Sequence, residues 1–491
     1  MKYIIALSVM LLLVSCQEET VVEIEPIQFP APNVPIPPLT PPPIPGFVTT
    51  EILEDFILLD LQNLANDNER RNARYFTSCN RFNLGEDADL QKQGIDLALN
   101  RLSDQRLAIT TAIGPGDCIY RLDKRDFGID QRDWILIERN AVIPFVTKTI
   151  RGKQIQFLTQ TRNPYLFSIE TISMFEGDAV TNRGGDIYYT LTDQPFLLND
   201  YYARAGINPQ REVNDENAVF AAYAKSGIAI NKTREVAAYE SLGNLVFTTF
   251  DSELGGQDHF EFPFTVELAN AGIEQNIHHK SNTNGRQRTD KIYRFDAQES
   301  FQLLDNNLVG KFFLNDGQGR AQGAAPANVV RYVGETDPVI YIGSCLGCHY
   351  DQAIIPFTDQ MYNHITTNQN FDEDERLLAE IFFNANKFSG LVSTTNRRQK
   401  QALAEIGVDH FEDPITKVIW KPYRGEMGLE FVAALTLLPT EQFSAKLRAT
   451  RNSSQVFGNL LNGGSVNLAV LNKNFPELVR ELNLFQDLNL N

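Results

Sequence analysis

The sequence is poor in cysteine and histidine, with five cysteines and six histidines among 491 residues. Structural zinc sites usually hold the metal with four Cys or His ligands, supplied as closely spaced pairs. One compact Cys/His cluster is present, at residues 345–349, and no second Cys/His pair has a comparable spacing. The composition therefore argues against a structural zinc protein.

Positive charge is also scarce. The chain carries 44 Lys and Arg against 62 Asp and Glu, which gives a formal net charge of −18 at pH 7. Nucleic acids and anionic lipid surfaces attract basic patches and repel acidic proteins. We therefore expect no nucleic-acid partner, whereas an electropositive redox partner protein would be attracted to this chain.

The apolar run at the N-terminus, Tyr3 to Val14, is shorter than the roughly 20 residues that a membrane-spanning helix needs. Following the positive Lys2, it is typical of a signal peptide, which we assign to residues 1–15. A plain secretory cleavage at another position is the alternative. Either interpretation predicts an exported protein.

The end of this run, Leu13-Val14-Ser15-Cys16, resembles a bacterial lipobox, in which Cys16 becomes the lipid-bearing N-terminus. Gln17 follows it in place of Asp, a pattern that resembles outer-membrane sorting. We expect a protein that is anchored in the cell envelope through this lipid, in the outer membrane and facing the periplasm or the surface.

Residues 16–48 form a proline-rich segment, with ten prolines between Pro26 and Pro45. Such a composition favours extended polyproline II and does not form a packed core. The segment is therefore predicted to be a tether between the lipid at Cys16 and the folded body.

The motif that indicates a chemistry is Cys345-Leu346-Gly347-Cys348-His349, which matches CxxCH. This spacing is typical of c-type haem, in which the two thiols form thioethers and the histidine is the proximal iron ligand. The alternatives are a redox-active CxxC pair and half of a zinc site. We predict one covalent haem c at Cys345 and Cys348, with His349 bound to the iron.

Export permits disulfides, and two cysteines remain once Cys16, Cys345 and Cys348 are assigned. A bond between Cys79 and Cys118 would close a loop of about 40 residues and could stabilise the protein by about 3 to 4 kcal/mol. Two unpaired, buried thiols are the alternative.

Hydrophobic periodicity and turn residues predict an α+β protein with three folded regions after the tether. The first, residues 49–141, is predicted to mix helices at 51–73, 89–102 and 130–139 with strands at 107–111 and 119–122.

The second region, residues 142–335, is predicted to be rich in β-structure. Its expected strands are 154–158, 185–191, 245–250, 259–267, 291–295 and 308–314, with helices at 195–205 and 213–225.

The third region, residues 336–491, is predicted to be a helical, cytochrome c-like domain that begins near the CxxCH motif. Its expected helices are 359–367, 372–384, 393–406, 428–435, 440–448 and 475–482.

From about residue 50 onward the chain resembles a largely uncharacterised family of exported bacterial lipoproteins with a single c-type cytochrome motif. The resemblance implies haem binding and electron transfer and supplies no substrate. The matching stretches are Arg74-Tyr75-Phe76, Ile119-Tyr120-Arg121-Leu122-Asp123, Arg125-Asp126-Phe127-Gly128, residues 312–320, Ala325-Pro326, Val329-Val330 and Gly343-Ser344 with the CxxCH motif that follows.

The second axial ligand of the iron decides between electron transfer and chemistry at an open iron. Met361 and His364 are spaced i, i+3 on one predicted helix, and Met427 lies farther downstream, as in small cytochromes. These three are the leading distal candidates. The other Met and His residues that were considered are Met174, His259, His278, His279 and His410.

The function predicted from the sequence is electron transfer in the bacterial envelope by a lipid-anchored haem protein. Two alternatives stay open. One is a peroxidase-type haem enzyme, which needs an acid or base close to an open iron. The other is a surface binding protein in which the haem is structural.

Overall fold

The fold is taken from a computed structural model of the chain. It describes residues 46–103, 105–140, 166–168, 186–224, 233–252, 297–316, 318–323, 345, 349, 352–355, 361–367, 369, 373–408 and 426–484. The predicted signal peptide, most of the proline-rich tether, and the predicted strands at 154–158, 259–267 and 291–295 lie outside these residues.

The N-terminal region mixes helices and strands. The helices are α1 (Thr50–Asn63), α2 (Asp67–Asn72), α3 (Cys79–Asn83), α4 (Ala88–Arg101) and α5 (Gln131–Asn140). The strands are β1 (Ala73–Thr77), β2 (Thr111–Ile113), β3 (Ile119–Asp123) and β4 (Leu166–Ser168). β4, at residues 166–168, completes the four-stranded sheet. The strand predicted at 107–111 is wrong in position, because the chain becomes extended only at 111–113, where it pairs with β3.

The predicted helix at 51–73 is two helices followed by a strand. Asn66 begins the second helix, because its side-chain oxygen accepts a hydrogen bond from the Glu69 N–H at 3.0 Å. The chain then enters β1, which lies between β3 and β4 in the order β2-β3-β1-β4. β1 is antiparallel to β3 and parallel to β4, and all of its residues are buried.

The next described region places three helices against a five-stranded antiparallel sheet. The helices are α6 (Asp186–Leu191), α7 (Leu198–Arg204) and α8 (Pro209–Asn214). The strands are β5 (Ala218–Ala224), β6 (Thr233–Ser241), β7 (Asn244–Ser252), β8 (Ala297–Leu303) and β9 (Val309–Asp316), paired in chain order.

Two predictions in this region are wrong. Residues 186–191 are a helix, although aromatic and β-branched side chains there favour a strand by local propensity. Tertiary contacts override that preference, because the hydroxyls of Tyr188 and Tyr189 bond the backbone of Phe312 and Leu314 on β9. The second error is the helix predicted at 213–225. The observed helix α8 already ends at Asn214, and residues 218–224 form β5, which pairs with β6 along its whole length.

Both faces of the five-stranded sheet are covered. On one face Tyr202 of α7 hydrogen-bonds the Thr248 hydroxyl at 2.9 Å. On the other, Phe247 stacks on Phe301 with ring centroids 5.6 Å apart and also packs against Phe388. The adjacent residues Phe247 and Thr248 of β7 therefore point to opposite faces of the sheet, as expected from the alternation of side chains along a strand.

The C-terminal part is helical, as predicted. Its helices are α9 (Met361–Thr367), α10 (Glu373–Phe382), α11 (Ala385–Glu405), α12 (Leu429–Leu435), α13 (Thr440–Ala449), α14 (Ser453–Phe457) and α15 (Leu468–Glu481). Within the described ranges, none of the helices has the length and apolar character needed to cross a membrane.

The CxxCH segment and the five-stranded sheet share one hydrophobic core. Cys345 and Ile354, with Phe388 and Val392 from α11, belong to the same buried cluster as the aromatic side chains of the sheet. The prediction of mixed helices and strands is confirmed. His349 of the motif lies where this sheet, α4 and α11 meet.

Candidate functional site

Cys345 and His349 are joined by a backbone hydrogen bond. The His349 N–H donates to the Cys345 carbonyl at 2.9 Å, which is the i to i+4 bond of an α-helix. The Cys345 side chain is 4% exposed. Cys348 lies outside the described residues, so the structure brings together two of the three residues predicted from the motif.

The His349 imidazole is fixed by its own loop. Its Nδ1–H donates to the carbonyl of Ala353, four residues along the chain. Because that proton is on Nδ1, the lone pair of the neutral ring is on Nε2. A hydrogen bond from one ring nitrogen to a backbone carbonyl is the usual way in which proteins orient a histidine that binds metal.

Two phenyl rings of the sheet pack beside the imidazole. The ring centroids of Phe301 and Phe312 lie 4.6 and 5.5 Å from that of His349. These contacts define the orientation of the imidazole further, and they surround it with apolar atoms.

A bulge between β8 and β9 brings these rings together. Ser300 pairs with Phe313, while Gln302 pairs with Gly310, so β9 has one more residue than β8 in this interval. Lys311, in the bulge, has a φ of 49°. Bulges redirect side chains beside functional sites, and here Phe312 contacts both Phe301 and His349.

The backbone of His349 is held by two distant helices. Its carbonyl accepts from Nε2 of Gln399 on α11 at 2.9 Å and from Nη2 of Arg101 on α4 at 3.2 Å. The Gln399 Oε1 in turn accepts from the Val309 N–H at 3.0 Å. One buried glutamine therefore connects the loop of the motif to the beginning of β9.

Gly310 allows α4 to approach this position. A Cβ atom at residue 310 would lie 2.7 Å from Leu304 Cδ1 and 3.2 Å from the Arg101 carbonyl oxygen. A larger residue would push the end of α4 away from β9, and the Arg101 guanidinium away from His349.

A second helix side chain fixes the far end of the loop. Asn396 of α11 accepts from the Ile354 N–H and donates to the Ile354 carbonyl, both at 2.9 Å. α11 therefore holds the backbone of both His349 and Ile354, through Gln399 and Asn396.

A carboxylate lies beside the Nε2 atom of His349. Glu299 Oε2 on β8 lies 3.8 Å from His349 Nε2, and the two side chains are 17% and 13% exposed. Burial raises the pKa of Glu299, but hydrogen bonding and the charge of His349, the Cys345 thiol and Arg234 outweigh burial and set its pKa at about 2. The carboxylate is therefore ionised at neutral pH.

A buried ion pair lies behind Glu299 in the same sheet. Arg234 donates from Nε and Nη2 to the two carboxylate oxygens of Asp251, at 2.6 and 3.0 Å. Burial raises the pKa of Asp251, and Arg234 opposes that shift. With Glu299 included, these three side chains carry one excess negative charge when all are ionised.

The other predicted site residues lie elsewhere. Met361 and His364 are on α9, but their side chains are outside the described part. Met427 is buried and exchanges two backbone hydrogen bonds with Val466, and no described contact joins it to His349. Cys16 and the five remaining Met and His candidates lie outside the described residues.

The two cysteines of the N-terminal region form a disulfide. Cys79 begins α3, Cys118 precedes β3, and their sulfur atoms are bonded across a separation of 39 residues. Gly114 and Gly116, both with positive φ, form the tight turn that brings Cys118 to Cys79.

His349 has the chemistry of a ligand for a haem iron. A porphyrin supplies four nitrogens to its iron and leaves two axial positions. His349 offers an oriented nitrogen, with Cys345 one turn before it for attachment. In the part of the chain that the structure describes, no three His, Cys, Asp or Glu side chains gather as a metal site.

No known family model, curated protein or solved structure matches this chain. The assignment of the site therefore depends on the motif and on the geometry around it.

Sequence reasoning missed Glu299, Gln399 and Arg101. Glu299 lies 50 residues before His349 in an ordinary alternating strand, and nothing local marks its carboxylate as close to the motif. Gln399 and Arg101 reach the same carbonyl from sequence separations of 50 and 248 residues. Only the tertiary fold brings them together.

Proposed function

We propose that this chain is a membrane-anchored c-type cytochrome that transfers electrons in the bacterial envelope. The observation that carries the proposal is the oriented His349 imidazole inside a CxxCH motif, with its Nδ1–H on the Ala353 carbonyl and its Nε2 directed away from that bond. Cys345 and Cys348 would hold haem c by thioethers, and His349 would be the proximal ligand.

When bound, the haem would supply a centre that accepts and releases one electron. The protein's own contribution is orientation and burial. Gln399 and Arg101 hold the His349 carbonyl, and Phe301 and Phe312 keep water from the sides of the imidazole. A ligand that moves little between oxidation states favours rapid electron exchange.

The remaining features predicted from the sequence fit an envelope location. Cys16 would carry the lipid, and residues 16–48 would separate the folded body from the membrane. The haem-binding region proposed for residues 336–491 would take part in the core of the preceding sheet, through Cys345 and α11. The acidic chain would attract an electropositive redox partner protein.

The test is maturation of the full chain in cells that attach c-type haem. We expect a reduced-minus-oxidised spectrum with a sharp α band, and colour that stays with the protein after acid-acetone extraction. A folded protein that emerges from such cells without covalent haem contradicts the proposal. High peroxide turnover by the loaded protein would instead support the enzymatic alternative.

A further inference from the structure

One side chain of the sheet, Glu299 on β8, contacts two residues of the CxxCH motif. Its Oε2 forms an ion pair with His349 Nε2 at 3.8 Å, and Nε2 is the nitrogen that would bind iron. The Cys345 thiol donates a hydrogen bond to the same carboxylate. The attachment residue and the iron ligand are therefore joined through a single carboxylate.

The surroundings of this carboxylate are filled. The rings of Phe301 and Phe312 pack against the imidazole, and their own centroids are 5.8 Å apart. Cys345 is buried, and only small fractions of the Glu299 and His349 side chains are exposed. Metals bind imidazole nitrogen at about 2 Å, so a porphyrin around such an iron would overlap these side chains. We call this arrangement the closed motif.

The closed motif and an iron-bound His349 exclude each other. The Nδ1–H of the imidazole is donated to the Ala353 carbonyl. Nε2 then either carries a second proton, which pairs with the Glu299 carboxylate, or gives its lone pair to a metal. Iron binding therefore requires that Glu299 separate from His349.

We propose that Glu299 keeps the CxxCH motif closed until haem attachment, by holding Cys345 and His349 against the sheet. This inference rests on the proposed function, because it gives the haem site a closed and an open arrangement. Thiols are oxidised where solvent and oxidants reach them. In the oxidising cell envelope, the closed motif would shield the Cys345 thiol before attachment.

The first experiment measures how fast iodoacetamide modifies Cys345 in the folded full chain, exported by cells that attach no haem. Cys348→Ser in every sample leaves Cys345 as the one thiol of the motif, and mass spectrometry of its peptide reports the reaction. Glu299→Gln keeps the shape of the side chain and removes its charge, and we expect it to raise the rate about tenfold or more. Glu240→Gln, at an exposed position of β6 in the same sheet, is the matched control and should leave the rate unchanged.

Low concentrations of urea separate local opening from global unfolding. Opening of the motif alone exposes little surface, so the modification rate of the Glu299→Gln protein should hardly depend on urea below the unfolding transition. A rate that rises in parallel with the global unfolding equilibrium would show that Cys345 reacts only from the unfolded chain, and it would overturn the proposal.

A second variant covers the case in which Glu299→Gln does not fold. Glu299→Asp keeps the charge but shortens the side chain by one methylene, which withdraws the carboxylate from Cys345 and His349. We expect the same faster modification of Cys345. A rate equal to that of the protein with Glu299 would overturn the proposal.

Maturation of the same chains with both motif cysteines present, in cells that attach haem, separates this proposal from the proposed function. If the wild type acquires covalent haem while Glu299→Gln and Glu299→Asp leave Cys345 as unreactive as before, the closing role of Glu299 is overturned and the haem assignment stands. If the variants speed the modification of Cys345 but no chain acquires covalent haem, the proposed function is overturned, and Glu299 is a contact that buries the thiol for another purpose.

Discussion

The two cysteine-bearing regions of this protein use the same side chain in different ways. In the N-terminal region, Cys79 and Cys118 are buried and their sulfurs are bonded to each other. Near the CxxCH motif, Cys345 is also buried, but its thiol is close to the carboxylate of Glu299. Similar burial therefore accompanies two environments: a disulfide at Cys79 and Cys118, and a free thiol beside a carboxylate at Cys345.

The regions also differ in how they are held together. The disulfide closes a segment of 39 residues around the turn that leads into β3. The backbone of His349 and Ile354 is bonded by side chains of Arg101, Asn396 and Gln399. The N-terminal region thus has a covalent link in addition to its buried core, whereas the backbone at His349 and Ile354 is held by hydrogen bonds from distant side chains.

The largest expected effect is on covalent haem attachment, which should require Cys345 and Cys348 but not Cys79 and Cys118. Replacing both Cys345 and Cys348 with alanine should abolish covalent haem, because no thiol is left to form a thioether. Replacing both Cys79 and Cys118 with alanine should leave the attachment intact. Haem-stained denaturing gels of the two double variants measure this, and equal staining would remove the distinction between the pairs.

The next largest effect is on the free energy of unfolding, and it is expected from loss of the Cys79–Cys118 pair. Loss of the Cys79–Cys118 disulfide should lower the free energy of unfolding by about 3 to 4 kcal/mol, since the unfolded chain regains the freedom of a 39-residue loop. Denaturant titration of the Cys79→Ala/Cys118→Ala variant measures the change. Thiol counting on the unfolded, unreduced wild type should find neither of these two sulfurs reactive.

A smaller loss of stability is expected when the hydrogen bonds that hold the His349 backbone are removed. Gln399→Leu leaves the His349 carbonyl short of one donor and the Val309 N–H without its acceptor, which should cost about 1 to 3 kcal/mol of stability. Gln401→Leu, at an exposed position of the same helix, is the control and should change stability little. Equal effects of the two substitutions would show that the bonds to Gln399 are unimportant.

The smallest expected effect is on the pH dependence of stability. Its sign should be opposite for two carboxylates, Glu299 on β8 and Asp96 on α4. Without haem, Glu299 has a folded pKa of about 2, below its ordinary 4.5, so its contribution to stability is present above pH 4.5 and is lost as the pH falls toward 2. Burial raises the pKa of Asp96 on α4 above 3.8, although Lys92 and Thr110 oppose the shift. Its contribution is therefore most favourable in acid and declines as the pH rises through that raised pKa.

Unfolding of cofactor-free protein between pH 2 and pH 7 checks both signs. Relative to the wild type, Glu299→Gln should flatten the loss of stability in acid. Asp96→Asn should remove a decline that occurs as the pH rises. Parallel pH curves for the two variants would contradict the opposite environments of these carboxylates.

Local sequence patterns predicted the helices well and the site only in part. Apolar spacing predicts α4, α5 and the C-terminal helices, because their packing faces follow helical periodicity. The pattern fails at Tyr188 and Tyr189, where hydrogen bonds to β9 stabilise a helix against local preference. The motif predicts Cys345 and His349, whereas Glu299 and Gln399 reach them only through long-range pairing of strands and helices.

The most direct test of the account is the intact mass of the mature chain, isolated from the cells that naturally produce it. The account predicts the polypeptide from Cys16 onward carrying both a lipid and one covalently bound haem, with the haem on the peptide that contains Cys345 and Cys348. A mature chain that carries no added macrocycle would contradict it.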